Sequence, residues 1–338
     1  MQTTVATYGS DKNGLIWGYR FTPEGVAEII DADAVPIFLG TQEEGADGAF
    51  LWLHFSLSNQ ATDRFFRRSL QLPEGFLESL RSEVGSTRLE LDDDRLVAVV
   101  HDVLFESAFD ASDVGTTSLC ISPNMVVSAR LRPLRSVDQL RSAVRSGQKF
   151  RSPVELLAHL LRDQASVLGD IVRKSSARVD QIEDRLLANR VSTDRKELGS
   201  LRRTLVRLQR LLAPEPTALF RLLNRPPAWI SRDDVADLRQ AAEEFSTAIG
   251  DSATLVERVK LIQEELAALV NEQTGRTLFV LTVVTVLALP INLVAGLFGM
   301  NVGGMPLAHS ARGFSVIVTF LVALTAVLAY LAFGKRRD

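Results

Sequence analysis

Three polar side chains recur at helical spacing inside an uncharged run that extends from Thr277 to Phe298. On a helix, residues three or four positions apart lie on one face. The face that carries these polar residues comprises Leu278, Leu281, Thr282, Thr285, Leu289, Asn292, Gly296 and Gly299. A polar atom inside a membrane is costly unless water or another polar group meets it. The spacing therefore predicts a helix that lines an aqueous path or contacts further copies of itself, although the polar residues of such a span can also simply bind helices together.

Pro290 lies within the same run. Proline leaves the carbonyl four residues earlier, that of Val286, without its helical donor, and predicts a kink. Such a carbonyl is tolerated in a membrane only where protein or water satisfies it. Leu278 and Leu281 place bulky apolar groups near one end of the face, and we expect them to form a constriction that gates by dewetting.

Two uncharged runs, 277–298 and 314–333, each match the roughly 20 residues that a helix needs to cross a bilayer. The link between them is short, so both outer flanks lie on the same side of the membrane. These flanks carry Arg276, Lys335, Arg336 and Arg337, whereas the link at 299–313 carries Arg312 alone. The positive-inside rule then predicts a multi-pass protein of the cell (inner) membrane with both termini in the cytoplasm. The alternative is a pair of buried core helices.

The remaining composition excludes several classes of protein. Of the 38 basic and 41 acidic residues, four and one lie after residue 276, so residues 1–276 are net acidic, which argues against a nucleic acid partner. Cys120 is the only cysteine, which excludes a disulfide framework. Met1–Asp11 lacks the basic and apolar run of a signal peptide. No nucleophile–base pair or phosphate loop is evident, so we expect neither an enzyme nor a resident cofactor.

Residues 1–150 are predicted to form a mixed α/β cytoplasmic domain. Its predicted strands are Leu15–Phe21, Phe50–Phe55, Arg88–Leu91, Leu96–Phe105, Ser118–Ile121 and Met125–Ala129, and its predicted short helices are Ala61–Leu72 and Glu74–Glu83. Residues 151–276 are predicted to be helical, with helices from Pro153 to about Asn189 and from Thr193 to about Leu212. The prolines at 214, 216, 226 and 227 are expected to interrupt the pattern.

A stalk helix is predicted from about residue 231. No proline follows until Pro290, and heptad spacing relates Leu255, Val259, Ile262, Leu266 and Leu269. If it continues to Phe298, it is about 100 Å long at about 1.5 Å per residue. The alternative is a domain helix that ends near Gly275, followed by an independent span. The fold class expected is therefore α+β, followed by the stalk helix and two transmembrane helices.

Gly299-Met300-Asn301 directly follows the first span and precedes a second one. In this position, with Pro290, Gly296 and the basic tail at 334–338, it resembles the signature of the CorA-type divalent metal ion transporter family. Three further segments resemble the ZntB zinc-transporter branch of that family: 51–55 (LWLHF), 72–77 (LPEGFL) and 303–306 (GGMP). Leu307 follows Met305-Pro306, where the magnesium branch typically has an acidic residue and the ZntB branch a glycine.

The resemblance implies a homopentamer in the lipid bilayer, with the first span lining the pore. It implies a selectivity filter of Gly299, Met300 and Asn301 at the outer mouth and a basic ring of Lys335, Arg336 and Arg337 at the cytoplasmic mouth. Five Asn301 amides can hold a divalent cation through its hydration shell, which suits ions that dehydrate reluctantly. His309 is a further candidate metal contact. The transported ion is predicted to be zinc, with magnesium, cobalt or nickel as the alternative.

One interpretation from a different class of protein remains at this point. A membrane-anchored sensor would signal through the long helix without ion flux.

One acidic motif is not assigned a role in cation binding. Asp92-Asp93-Asp94 lies between two predicted strands and fits a solvated turn better than a cation site. The residues leave open whether transport is passive or proton-coupled, its direction, and whether the cytoplasmic domain binds a regulatory metal.

Overall fold

A computed structural model describes residues 9–41, 48–80, 87–92, 94–104, 114–187, 194–300 and 312–334. It separates into two compact units, Met1–Ile262 and Gln263–Asp338. The first unit contains a mixed α/β domain and the second contains two apolar helices, which confirms the predicted fold class.

The first unit is organised around a seven-stranded sheet with the order β2-β1-β3-β7-β6-β5-β4. Neighbouring strands are antiparallel except for β3 and β7, which are parallel. The strands are β1 Leu15–Phe21, β2 Ala27–Ile29, β3 Phe50–Ser56, β4 Arg88–Asp92, β5 Arg95–Val103, β6 Val114–Ser122 and β7 Met125–Arg130. All six predicted strands are confirmed within a few residues, whereas β2, a short edge strand, was not predicted.

Nine α-helices complete the described chain, with a 3-10 turn at Ala32–Ala34 and a π-helical turn at Phe66–Leu70. They are α1 Val35–Thr41, α2 Ala61–Phe65, α3 Glu74–Ser79, α4 Arg135–Arg145, α5 Pro153–Leu187, α6 Asp194–Leu212, α7 Pro214–Asn224, α8 Arg232–Phe298 and α9 Gly313–Gly334.

Both faces of the sheet are covered. Side chains alternate across a strand, so Phe50 and Trp52 of β3 enter the core beneath α4, α5 and α7, while Leu51 and Leu53 enter the core beneath α1 and α3. The first core also includes Leu238 of α8. The predicted α/β domain and the beginning of the predicted helical region therefore share one core.

The expected interruption after Leu212 is confirmed, because α6 ends at Leu212 and a new helix follows. Helix α7 begins at Pro214 and includes Pro216 in its first turn. The first amides of a helix have no carbonyl partner within it, so a proline there forfeits no hydrogen bond. The prolines mark the start of a helix at this point.

The predicted stalk is a single helix, α8, of 67 residues. Ser231 caps its start, since its Oγ accepts a hydrogen bond from the Asp234 amide at 3.1 Å. The helix continues through Gly250 and Gly275, so the alternative in which it ends near Gly275 is wrong. Four of the five heptad residues are buried, and Leu269 is the exposed one.

Candidate functional site

The polar face of the first apolar segment lies in the last part of α8. Its three leucines are exposed: Leu278 is 56% exposed, Leu281 62% and Leu289 69%. The polar and small members Thr282, Thr285, Asn292, Gly296 and Gly299 are exposed as well. In the single chain, the whole face is thus open to a partner or to solvent.

The least exposed residues of the same segment lie on a different face. Val283 is buried, and Phe279, Leu287, Pro290 and Val294 are half-buried, at spacings of three or four residues. Helical periodicity places these five residues together. The packing within this unit therefore uses one face of the helix and leaves the polar face uncovered.

The two threonine hydroxyls of the polar face donate hydrogen bonds within their own helix. Thr282 Oγ1 lies 2.9 Å from the Leu278 carbonyl oxygen, and Thr285 Oγ1 lies 2.8 Å from that of Leu281. A hydroxyl that donates still has lone pairs that accept. The outward-facing chemistry of these two residues is therefore that of oxygen acceptors, which suits a hydrated cation.

Asn292 differs from the threonines because its side-chain amide makes no hydrogen bond to any residue that the structure describes. It is also exposed within an apolar segment. An amide carries two donors and one acceptor oxygen, and leaving them unpaired in hydrocarbon is costly. Asn292 therefore requires water or a polar group that is not among the described residues.

The helix ends at Phe298, immediately before Gly299, the last residue of the polar face. The Gly299 amide donates to the Ala295 carbonyl oxygen at 2.9 Å, and the Met300 amide donates to that of Leu297 at 3.4 Å. The structure thus describes the first two residues of the predicted filter. Asn301 and His309, like Lys335, Arg336 and Arg337, lie outside the described residues, so their roles stay predictions.

Asp92 and Asp94 flank the turn predicted at residues 92–94. One oxygen of Asp92, Oδ2, accepts a hydrogen bond from the Gly75 amide at 3.1 Å, which caps α3. The Asp94 carbonyl oxygen accepts a hydrogen bond from Trp229 Nε1 at 2.9 Å. Both residues therefore make structural contacts at this turn.

His54 is fully buried in β3 and stacks on Trp17 at 4.0 Å between ring centres. Arg130 Nε donates to His54 Nε2 at 2.7 Å, and because arginine cannot accept, the His54 proton lies on Nδ1 and bonds Ser128 Oγ at 2.7 Å. Burial and then the positive charge of Arg130 lower the pKa of His54 well below its usual value. His54 is a neutral core residue with both nitrogens occupied.

A buried polar cluster was not anticipated from the sequence. It contains His101 and Asp102 of β5 and Glu215 of α7, and the half-buried Asp163 of α5 interacts electrostatically with Asp102. The sequence signal that could have indicated this cluster is Glu215, which stands between Pro214 and Pro216. Prolines favour the first turn of a helix, so they place the Glu215 side chain at a helix start. Among the described residues, no group of three or more His, Cys, Asp or Glu side chains is arranged to hold a metal ion.

Fold and site together define a class of protein. Helices α8 and α9 each contain an apolar stretch long enough to span a bilayer, α8 continues from the α/β unit, and its apolar stretch carries a polar face. This combination is that of a membrane transport protein with a large extramembrane domain.

The chain belongs to a family of divalent cation transporters, the one described as "CorA-like Mg2+ transporter protein", whose pattern matches residues 47–336. This confirms the resemblance seen in the sequence. The chain is 26% identical to the divalent cation transporter CmaX of Pseudomonas aeruginosa over 97% of both chains. It is 21% identical to the zinc transport protein ZntB of Yersinia enterocolitica over 93% of both chains.

A solved structure of full-length CmaX has the same fold. It superposes with a TM-score of 0.79 at 25% identity, covering 98% of this chain and 100% of the other. The order of α/β domain, long helix and two apolar helices is therefore shared along the whole chain.

Proposed function

We propose that this protein conducts divalent cations through a homopentameric pore lined by the polar face of α8, and that it is a transporter with no enzymatic role or resident cofactor. The observation that carries the proposal is the exposed Asn292 amide, unpartnered among the described residues, on one face with the Thr282 and Thr285 hydroxyls. Water and hydrated ions satisfy such groups inside a membrane.

One such face per chain cannot enclose a path by itself, so several copies must meet. In a pentamer, five copies of Leu278 and Leu281 form apolar rings, and five copies of Thr285 and Asn292 form polar rings. The Asn301 ring lies beyond them at the outer mouth and holds the cation through its hydration shell, with Gly299 and Met300 completing the filter.

We propose zinc as the transported ion. The link between the spans has no carboxylate from Val302 to Gly313 and contains His309. Magnesium prefers oxygen ligands, whereas imidazole suits zinc. Several relatives, including ZntB of Yersinia enterocolitica, are named zinc transport proteins. The family description names magnesium, and this ion, with cobalt and nickel, is the alternative that the experiment must separate.

The proposed orientation follows from charge. Arg276 and the tail residues Lys335, Arg336 and Arg337 flank the two spans, against Arg312 in the link. The positive-inside rule places the flanks, and with them both termini, in the cytoplasm of a cell whose inner membrane holds the protein.

Ion flux into proteoliposomes tests the proposal. Purified protein is reconstituted around a fluorescent indicator, and uptake of zinc and of magnesium is compared with that of empty vesicles. Zinc uptake well above magnesium uptake is expected, and the opposite order would favour the magnesium alternative. Uptake of neither ion, nor of cobalt or nickel, would refute transport and favour a sensor, for which the unbroken helix α8 is the supporting feature.

A further inference from the structure

Asp102 lies at the end of β5 and is buried against the start of α4. Its Oδ2 accepts a hydrogen bond from the Ser136 amide at 2.7 Å. Its Oδ1 accepts hydrogen bonds from Ser136 Oγ at 2.8 Å and from the Val103 amide at 2.7 Å. Every neighbour donates, and a helix N-terminus favours negative charge. Burial raises the pKa of Asp102 to about 6, and these hydrogen bonds oppose the rise because they favour the ionised form.

Glu215 of α7 is 2% exposed and faces the same strand. Its Oε1 accepts a hydrogen bond from the His101 amide at 2.6 Å and lies 3.6 Å from His101 Nδ1. Its Oε2 is buried and has no hydrogen-bond partner among the described residues. Burial raises the pKa of Glu215 to about 7, and the negative charge of Asp102 adds to the increase, whereas the hydrogen bonds from His101 oppose it.

Asp163 of α5 is the third carboxyl. Its Oδ1 lies 3.8 Å from His159 Nε2, and its Oδ2 is buried with no hydrogen-bond partner among the described residues. Burial raises the pKa of Asp163 to about 7, followed by the charge of Asp102, while Arg162 lowers it. Arg162 Nη2 lies 3.5 Å from Asp237 Oδ1 of α8, which partly neutralises this cation.

Neutral polar groups complete the surroundings. Gln164 of α5 donates through Nε2 to the His101 carbonyl oxygen at 2.7 Å, and its buried Oε1 has no partner among the described residues. Thr87 Oγ1 lies 3.2 Å from His101 Nδ1. Asp163 and Glu215 thus each have a buried oxygen without a partner among the described residues, whereas both oxygens of Asp102 accept hydrogen bonds. Like charges in a buried site cannot all ionise without a large cost.

We propose that Asp102, Asp163 and Glu215 form a proton-binding site in which the unpartnered carboxyls of Asp163 and Glu215 hold the protons and the hydrogen-bonded Asp102 holds the negative charge. Proton occupancy stabilises the packing of α5 and α7 on β5, and proton release as the pH rises weakens it. The domain thereby responds to the pH of the compartment around it. This inference rests on the α/β unit alone and is independent of the transported ion.

The direction of the pH dependence follows from the linkage between proton binding and folding. The folded-state pKa values of Asp163 and Glu215 lie above their ordinary values of 3.8 and 4.5. Below those ordinary values the stabilisation is fully present, and it is lost as the pH rises through about 7. Within this window, the folding equilibrium constant falls by up to about tenfold per pH unit for each proton involved.

Infrared spectroscopy of the full-length protein in detergent measures the protons directly. The carbonyl band of protonated buried carboxyls is followed from about pH 5 to about pH 9, which brackets the raised pKa values. The band should disappear as the pH rises through about 7. Glu215→Gln and Asp163→Asn, which resemble the protonated acids, should each remove part of it, whereas Glu244→Gln at an exposed position of α8 should leave it unchanged.

Thermal unfolding of the same variants gives a second measurement. The midpoint of wild type should fall as the pH rises, and Glu215→Gln and Asp163→Asn should flatten that fall and exceed wild type above pH 7. If Glu215→Gln does not fold, the infrared spectra of wild type and of Asp163→Asn still test the proposal. A spectrum without a protonated carboxyl at neutral pH, or a band that neither variant alters, would overturn the proposal.

Discussion

Arg258 of α8 holds Glu183 of α5 through both carboxylate oxygens. Its Nε lies 3.1 Å from Oε1, and a second guanidinium nitrogen donates to Oε2. The third nitrogen lies 2.7 Å from Asp180 Oδ1, one turn earlier on α5. A forked arginine–carboxylate contact is among the stronger ion pairs because its geometry is fixed. It joins the predicted stalk helix to its neighbour within the α/β unit.

Replacing Arg258 should weaken this helix pair. Arg258→Gln is expected to lower the free energy of unfolding by about 1 kcal/mol, since the pair is partly solvated and screened. Denaturant titration of the full chain measures it. Lys260→Gln is the matched control, because Lys260 pairs with Glu257 of its own exposed helix surface at 3.5 Å. Equal losses in the free energy of unfolding of Arg258→Gln and Lys260→Gln would show that the two-pronged Arg258–Glu183 contact contributes no more than an ordinary surface ion pair.

Ser128 accepts hydrogen bonds from two buried aromatic side chains, Trp52 Nε1 at 3.0 Å and His54 Nδ1 at 2.7 Å. Ser128→Ala leaves both donors unsatisfied, so a loss of about 2 kcal/mol or more in the free energy of unfolding is expected. Thermal unfolding checks this. Ser142→Ala, on the exposed side of α4, should change the midpoint little, and similar midpoints for the two variants would count against the network.

Asn301→Ala should abolish transport while folding and assembly persist, because the proposed function assigns the Asn301 amide to binding the hydrated cation. A fall in zinc uptake of at least about tenfold corresponds to about 1.4 kcal/mol at the barrier. Flux into proteoliposomes measures transport, and size-exclusion chromatography measures folding and assembly. Ser310→Ala, another polar residue of the link, is the control. Uptake near the wild-type rate in Asn301→Ala would exclude the amide ring as the filter.

Leu281→Ser should raise resting leak, because a polar ring wets an apolar constriction. Leu278→Ser should act in the same direction. The matched control is Leu293→Ser, a similarly exposed leucine on another side of the same helix. Ion leak in proteoliposomes and sensitivity of cells to excess zinc measure the effect. Unchanged leak in both Leu281→Ser and Leu278→Ser would show that the gate lies elsewhere. The Leu289 ring is the next position to test.

His309→Ala tests whether an imidazole at the outer mouth aids zinc binding. A free imidazole protonates near about pH 6.5 and then repels cations, so wild-type uptake should fall as external pH drops through that range. His309→Ala should flatten the dependence. Uptake that rises in external acid would exclude this role and favour proton-coupled transport.

The predicted homopentamer is tested separately. Mass measurement of the protein in mild detergent should give the mass of five chains.

The sequence alone predicted the elements whose signals are local. An uncharged run of span length identifies the segment that ends α8, and the absence of proline from Ser231 to Pro290 predicts one long helix. Strand β3, buried on both faces, was equally evident from its apolar run. In each case, length, charge or periodicity within a few dozen residues decides the conformation, because backbone hydrogen bonding and side-chain direction repeat at fixed intervals.

Only the tertiary structure decided which distant groups meet. Strand β2 has three residues, too few for an alternating pattern, and exists because β1 pairs with it. Pro214 begins a helix whose Glu215 contacts His101, 114 residues away, and the sheet then brings both beside Asp102. The charge state of such a carboxyl depends on burial and on neighbours from other elements. No local pattern encodes these quantities, so the buried acid cluster emerged only when the helices packed on the sheet.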